Sequence, residues 1–279
     1  MAPQRTTVFV PSPDELVEYL LAETDQREAA PTQTQPLLEL LALRAIDVDF
    51  AVDLAEAQTS RGEPVRALLD YQERLIAVDA QLDTKRFRFS TLHEIGHFAL
   101  PGHGGQIILC GNGDFAYRTA SAEEREANAF AAELQFKGRR FRQETATLPM
   151  TAGTVKETAG VFGASFEATA RHLVETSLKP CLLAVYSQTR TKKDGTLHTT
   201  VRYSVAAPSF EQQYGGSLTD EDNEAVAAVW TPGRDIADSI ADDVDVEIAG
   251  DETVRFHGEY FFNGHNAFCL LTARRLRQS

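Results

Sequence analysis

The sequence has few cysteines, few basic residues and no long apolar run. Its three cysteines (Cys110, Cys181 and Cys269) are too few and too widely separated for a disulfide framework, which is typical of a reducing compartment. No stretch approaches the ~20 apolar residues of a membrane-spanning helix, and the first residues lack the basic and then apolar pattern of a secretion signal. We therefore expect a cytoplasmic protein with no membrane partner.

The charge balance is acidic. Lys and Arg number 27 against 41 Asp and Glu, so the formal net charge is −14. Non-specific binding to nucleic acid needs a basic surface, and we do not expect nucleic acid to be a partner. With 279 residues, 43% of them hydrophobic, the chain is long enough for a sizeable core and for more than one domain.

One short motif concentrates metal-binding chemistry. It reads His93-Glu94-Ile95-Gly96-His97 within a helical pattern, and residues four apart lie on the same face of a helix. His93 and His97 can therefore reach one ion, at ~2.0–2.1 Å for zinc, while Glu94 takes a proton from water. We predict a Zn²⁺ site, which Mn²⁺ or Fe²⁺ could also fill. Gly96 costs ~1 kcal/mol within a helix, which indicates that another element approaches closely there.

A catalytic zinc site usually has three protein ligands, and the next predicted helix, at 121–138, offers three glutamates. Glu124 lies on a face of small side chains, which favours close packing of two helices. Glu123 shares a face with bulkier residues, and Glu126 points the opposite way. We favour Glu124 and keep Glu123 as the alternative, although Glu124 could simply cap its helix. Asn128, one turn further on, is predicted to hydrogen-bond a ligand histidine.

Between these helices, residues 101–118 are rich in Gly and Pro without a helical period. They predict a loop, and it contains His103 and Tyr117. Both are candidates for contact with a transition state, although a solvated loop residue is the favoured interpretation of His103.

The N-terminal part combines helices and strands. A capping box at Ser12 and Glu15 begins a first helix, and apolar residues predict a second helix at 36–45 and a strand near 46–50. Two apolar runs at 65–70 and 74–79 predict a β-hairpin. A strand of this hairpin could pair with an extended peptide substrate.

The C-terminal part changes period. Two helices are predicted at 154–162 and 165–176, and strands dominate from residue 181 onward. Turn sequences at 192–195 and at Asn263-Gly264 indicate hairpins. The predicted class is thus α+β, with domains at 1–145, 146–179 and 180–279.

Two segments resemble the ImmA/IrrE family of metallopeptidases. They are Arg-Phe-Arg-Phe-Ser-Thr-Leu-His-Glu-Ile-Gly-His at 86–97 and Glu-Arg-Glu-Ala-Asn-Ala-Phe-Ala-Ala-Glu-Leu at 124–134. The resemblance implies a zincin-like metallopeptidase domain with ligands His93, His97 and Glu124, and with Glu94 as general base. It also implies a protein substrate, a helix-turn-helix repressor whose cleavage induces stress-response or mobile-element genes.

The same resemblance extends loosely to the rest of the chain. The helical pair at 154–176 resembles a helix-turn-helix, and the position of the last domain resembles a GAF-like sensor domain. The chain departs from the family pattern at Leu134-Gln135-Phe136-Lys137-Gly138, where members usually carry a Leu-Leu-Met-Pro-like ending. The main alternative is a regulatory module that binds and inactivates a repressor without cutting it, with sensing by the C-terminal domain. A DNA-binding regulator that uses the helical pair is a third reading, disfavoured by the acidic charge.

Overall fold

The protein consists of two compact units. The computed structural model describes residues 11–50, 58–59, 62–115, 119, 121–190, 197–215, 239–248 and 252–273. The first unit comprises Met1–Phe141 with Phe162–Ala164, and the second comprises Arg142–Val161 with Ser165–Ser279.

The described residues form eight helices and two sheets, as expected for the predicted α+β class. The helices are α1 (Pro13–Glu23), α2 (Thr34–Leu40), α3 (Thr84–Ala99), α4 (Ala122–Phe136), α5 (Arg139–Thr145), α6 (Ala152–Phe162), α7 (Phe166–Glu175) and α8 (Pro208–Tyr214). The strands are β1 (Arg44–Val48), β2 (Val65–Asp70), β3 (Leu75–Asp79), β4 (Ile107–Gly111), β5 (Cys181–Arg190), β6 (Leu197–Ala206), β7 (Ile240–Ile248), β8 (Glu252–Phe262) and β9 (Ala267–Ala273). None of these helices is both long and apolar enough to cross a membrane.

The first sheet has the order β1-β3-β2-β4, with β1 parallel to β3 and the other pairs antiparallel. The predicted hairpin is confirmed as β2 and β3. Both of its strands are interior, however, so neither is free to pair with a peptide. Within the described residues, β4 is the outer strand on this side, although the sequence analysis predicts only a loop there. Its apolar residues Ile107 to Cys110 are too few to show a strand period beside so many glycines.

The first two helices differ in how well the sequence predicts them. The capping box of α1 is confirmed, since Ser12 and Glu15 hydrogen-bond each other reciprocally. α2 ends earlier than predicted and β1 begins earlier. Ala42 takes a positive φ of 51°, and the Arg74 side chain donates to the Ala42 carbonyl oxygen at 2.9 Å. This contact comes from the turn between β2 and β3 and holds the chain where the helix ends.

Helices α3 and α4 pack closely in the core of the first unit. Asp83 caps α3 by accepting from the backbone N–H groups of Lys85 and Arg86 at 3.0 and 3.1 Å. A Cβ at Gly96 would lie 3.2 Å from the Ala127 carbonyl oxygen and 3.3 Å from its Cα. The close approach predicted at Gly96 is therefore present, and α4 is the element concerned.

α4 ends at a residue with a left-handed backbone conformation and not at a proline. α4 continues to Phe136 and ends at Lys137, which has a left-handed φ of 63°. The Phe136 ring then packs edge-on against Phe141 at 4.9 Å and near Phe162 at 5.9 Å. An aromatic cluster thus follows the end of α4.

The second unit carries an antiparallel sheet with the order β6-β5-β9-β8-β7. The predicted hairpin partners are confirmed: β5 pairs with β6, and β8 pairs with β9. Gly264 has the positive φ of 93° that the second turn needs, whereas the turn at 192–195 lies outside the described residues. α7 packs on this sheet, where the Phe166 ring meets Phe261 and Phe268 edge-on.

A buried histidine makes the second unit sensitive to acid. Burial lowers the pKa of His172 on α7 to about 3, and the charges of Arg171 and Arg142 add to the effect. In the unfolded chain the pKa is ~6.5. Between these values the unfolded chain binds a proton that the folded chain does not, so stability falls as the pH drops below ~6.5.

We expect this histidine to remove roughly 1.4 kcal/mol of stability for each pH unit below ~6.5. In His172→Gln, which does not titrate, the free energy of unfolding should depend less steeply on pH between ~6.5 and ~4.5. Urea unfolding of both proteins across this range measures the difference. Identical slopes would contradict the assignment.

Gly96→Val should push α3 and α4 apart, because the added side chain meets backbone atoms of Ala127 rather than a flexible side chain. We expect a loss of about 1–3 kcal/mol in the free energy of unfolding. Gly160→Val is the matched control: Gly160 lies on α6, and a Cβ there would meet nothing within 4 Å. A Gly96→Val protein as stable as the control variant would contradict the close packing.

Candidate metal centre

The centre is built where α3 and α4 touch. His93 Nε2 and His97 Nε2 lie 3.0 Å apart, and Glu124 Oε2 lies 3.0 Å from the first and 3.3 Å from the second. Of the three candidate glutamates, Glu124 is the one that reaches both imidazoles. Glu123 is exposed, and Glu126 contacts a different histidine.

The local sequence explains why the two histidines and Glu124 come together. His93 and His97 are one turn apart on α3, so their rings stand on one face, and burial is nearly complete for both. Ser121 caps α4 by accepting from the Glu124 backbone N–H at 3.4 Å. The Glu124 carboxylate oxygen Oε2 is directed at the histidines.

Asn128 orients one of the histidines. Its Oδ1 lies 3.0 Å from His93 Nδ1, and its Nδ2 donates to the Asp114 backbone oxygen at 2.7 Å. The second contact fixes the orientation of the amide, so Oδ1 must face the imidazole and accept from Nδ1–H. His93 Nε2 then keeps its lone pair, which is the state that a metal ligand needs.

The pKa values of the two ligand histidines shift in opposite directions. Burial lowers the pKa of His93, which keeps the ring neutral near pH 7. Burial would lower the pKa of His97 too, but the contact with Glu124 and the charges of Glu94 and Glu124 outweigh burial and raise it. Burial alone would raise the pKa of Glu124, but its close contacts with the His93 and His97 rings outweigh burial and bring the pKa to about 2. Neutral His93 and ionised Glu124 are the forms that bind a metal.

Glu94 differs from Glu124 because its carboxylate does not contact the imidazole rings of His93 and His97 through hydrogen bonds. It is fully buried, and neither carboxylate oxygen has a hydrogen-bond partner among the described residues. Burial raises the pKa of Glu94 to about 8; the charges of Glu124 and Asp114 act in the same direction, while His97 and the Cys110 thiol oppose it. A buried carboxylate without partners is costly, which indicates a place for a cation and for water.

Cys110 is a site residue that the sequence analysis misses. It lies on β4, and its Sγ is 3.7 Å from His93 Nε2. Together with His93, His97 and Glu124 it forms a group whose donor atoms lie within 4.8 Å of one another. Burial raises the pKa of the Cys110 thiol well above its usual value. The available signal was the apolar run at 107–110, which the glycine-rich surroundings obscured.

The two predicted transition-state contacts have different outcomes. His103 is buried, with its Nδ1 at 3.0 Å from His97 Nδ1 and its Nε2 at 3.1 Å from Glu126 Oε2. It is therefore tied to a ligand histidine and is not solvated. Tyr117 lies outside the described residues.

The residues present fit a divalent transition metal. Tetrahedral zinc with bonds of ~2.0–2.1 Å holds its nitrogen and oxygen ligands about 3.3 Å apart, close to the separations among His93, His97 and Glu124. Two imidazoles and a carboxylate also match the preference of zinc and its neighbours for nitrogen and oxygen donors. The positive ion would favour the ionised form of the buried Glu94 carboxylate.

A buried pair of histidines on one helix, a carboxylate from a second helix and a buried glutamate next in sequence to the first histidine are typical of a metallopeptidase-like domain. Comparison with known proteins agrees. Residues 50–174, a little under half of the chain, match the family model Peptidase_M78, described as the IrrE N-terminal-like domain. This region belongs to the ImmA/IrrE family, which confirms the resemblance seen in the sequence.

The whole chain also has a structural relative. A solved structure described as a Mycobacterium tuberculosis transcriptional regulator matches with a TM-score of 0.51 at 11% sequence identity. The match covers 95% of this chain and 88% of that one, and at this identity it concerns the fold alone. No curated protein matches the sequence.

Asn128→Leu should weaken zinc binding roughly 10–100-fold, because it leaves His93 Nδ1–H without its acceptor. Asn128→Asp keeps that acceptor and should bind zinc much more tightly than the leucine variant. Competition with a chelating dye measures both affinities on folded protein. Unchanged affinity in Asn128→Leu would show that Asn128 does not orient the ligand.

Proposed function

We propose that this protein is a zinc-dependent endopeptidase that cleaves a helix-turn-helix transcriptional repressor and so induces stress-response or mobile-element genes. The observation that carries the proposal is Glu94, a fully buried carboxylate without partners beside three converging metal donors. A purely structural metal site does not need such a group. Mn²⁺ or Fe²⁺ could replace zinc at this donor set.

His93, His97 and Glu124 would hold the metal, which when bound supplies Lewis acidity to the peptide carbonyl and to water. Glu94 accepts a proton from the attacking water on a carboxylate oxygen while the water oxygen bonds to the carbonyl carbon. Glu94 then passes this proton to the leaving amine nitrogen as the C–N bond breaks. Burial raises the pKa of Glu94 to about 8 in the chain alone, and the positive charge of a bound metal would lower it toward the ionised form that accepts a proton.

The outer strand β4 is the proposed docking element for the substrate. It carries Cys110 beside the metal donors, and it pairs with β2 on one side only within the described residues. Ile107 at its start is half exposed. An extended peptide that adds to β4 would satisfy the free backbone groups and bring its own carbonyls to Glu94.

Several finer parts of the proposal rest on the family resemblance. They are the zincin-like architecture of the first domain, the helix-turn-helix character of the segment at 146–179, and a GAF-like sensor role for residues 180–279. The nature of the substrate and a cytoplasmic location belong to this group as well. The three cysteines, all free and buried, are compatible with that location.

A non-cleaving regulator is the second candidate, and Cys110 favours it. With Cys110 as a fourth ligand beside His93, His97 and Glu124, the metal site would be closed, as structural zinc sites are. Cobalt-substituted protein separates the two functions, because only a cysteine ligand adds a thiolate-to-cobalt charge-transfer band. A band that disappears in Cys110→Ser would favour the regulator, and its absence from the native chain would favour the peptidase.

Glu94→Gln should retain zinc and lose cleavage, with a rate roughly 10²–10⁴-fold lower. The assay mixes the purified chain with the helix-turn-helix repressor encoded nearby, with and without a chelator, and determines fragment masses. We expect one metal-dependent cut by the native chain and by the control Glu123→Gln, which changes an exposed residue. A repressor that stays intact with the metal-loaded native chain, or a Glu94→Gln variant as fast as native, would overturn the proposal.

A further inference from the structure

Loop residue His103 and helix residue Glu126 make a continuous chain of contacts to the metal centre. We propose that they act as a positioning pair that holds His97 in its metal-binding form and ties the loop at 101–106 to α4. The inference rests on the proposed metal site but not on cleavage. It is based on two consecutive contacts. His97 Nδ1 lies 3.0 Å from His103 Nδ1, and His103 Nε2 lies 3.1 Å from Glu126 Oε2.

Only one arrangement of protons satisfies both contacts while His97 binds a metal. A ligand His97 needs a free lone pair on Nε2, so its proton is on Nδ1. That N–H must donate to His103 Nδ1, which can accept only if the His103 proton is on Nε2. His103 Nε2–H then donates to the Glu126 carboxylate, and every buried nitrogen of the series is satisfied.

The exposed fractions of the three side chains indicate which of the two contacts matters most. The His103 side chain is 2% exposed and the His97 side chain 1%, whereas Glu126 is 64% exposed. Water cannot replace the contact between the two rings, so its loss leaves a buried N–H unpaired. At the surface, Glu126 chiefly selects the tautomer of His103.

The two ligand histidines thus have separate supports. Asn128 on α4 orients His93, while His103 from the loop after α3 orients His97. Because Glu126 also lies on α4, the second support joins the loop to the helix that provides Glu124. Metal binding and the ordering of this loop should therefore favour each other, since a contact that stabilises one stabilises the other.

Zinc affinity of the full-length chain tests the inference without any peptide substrate. His103→Leu should weaken zinc binding roughly 10–100-fold, measured by competition with a chelating dye. His103→Asn should recover most of this loss, because its side-chain oxygen can accept from His97 Nδ1–H. Equal affinities of the leucine variant and the native chain would overturn the proposal.

A second pair of variants covers the case in which His103→Leu does not fold. Glu126→Lys and Glu123→Lys make the same charge change at exposed positions on one helix. Only the first removes the acceptor of His103, so it should bind zinc several-fold more weakly than the second. Equal affinities in this pair would overturn the role of Glu126.

Histidine-labelled, zinc-loaded protein gives a spectroscopic readout that a merely structural role would not move. Long-range ¹H–¹⁵N spectra should show His103 as the Nε2–H tautomer and His97 as the Nδ1–H tautomer. His103 protonated at Nδ1 would overturn the positioning role. An absence of cleavage in the repressor assay would leave these results standing, so the two proposals fail separately.

Discussion

The close contact between α3 and α4 is the constraint on which the centre depends. The backbone of Ala127 lies so near Gly96 that a Cβ there would be tightly crowded. Each helix presents two functional residues one turn apart toward this contact. α3 contributes His93 and His97, and α4 contributes Glu124 and Asn128. A wider spacing between the helices would leave these groups out of hydrogen-bond range of one another.

The contact between α3 and α4 also brings partners to the buried polar side chains of α3. The stretch from Ser90 to His97 is buried throughout, and most of its functional groups have partners from elsewhere in the unit. Glu94 is the exception, and an unpaired buried carboxylate is unfavourable for folding. The surrounding apolar core, with residues such as Leu92, Ile95 and Phe130, offsets that penalty. Local rules of folding are expected to fail where function requires it.

Local patterns predicted the elements of the fold better than their arrangement. The capping box of α1, the hairpin of β2 and β3, and the pairing of β5 with β6 follow from neighbouring residues. The strand β4 escaped prediction because a short apolar run within a glycine-rich segment has no recognisable period. The end of α2 was misplaced because the Arg74 side chain, from the turn between β2 and β3, donates to the carbonyl oxygens of Leu41 and Ala42.

The sequence by itself determined which groups share a helix face, because four-residue spacing is a property of the helix alone. The pairing of His93 with His97 and of Glu124 with Asn128 follows from it, while the cost of glycine within a helix indicated the close approach at Gly96. Only the tertiary structure decided that Glu124 rather than Glu123 meets the histidines, that Cys110 joins them, and that His103 turns to His97. These are contacts between elements distant in the chain, and packing of the whole unit sets them.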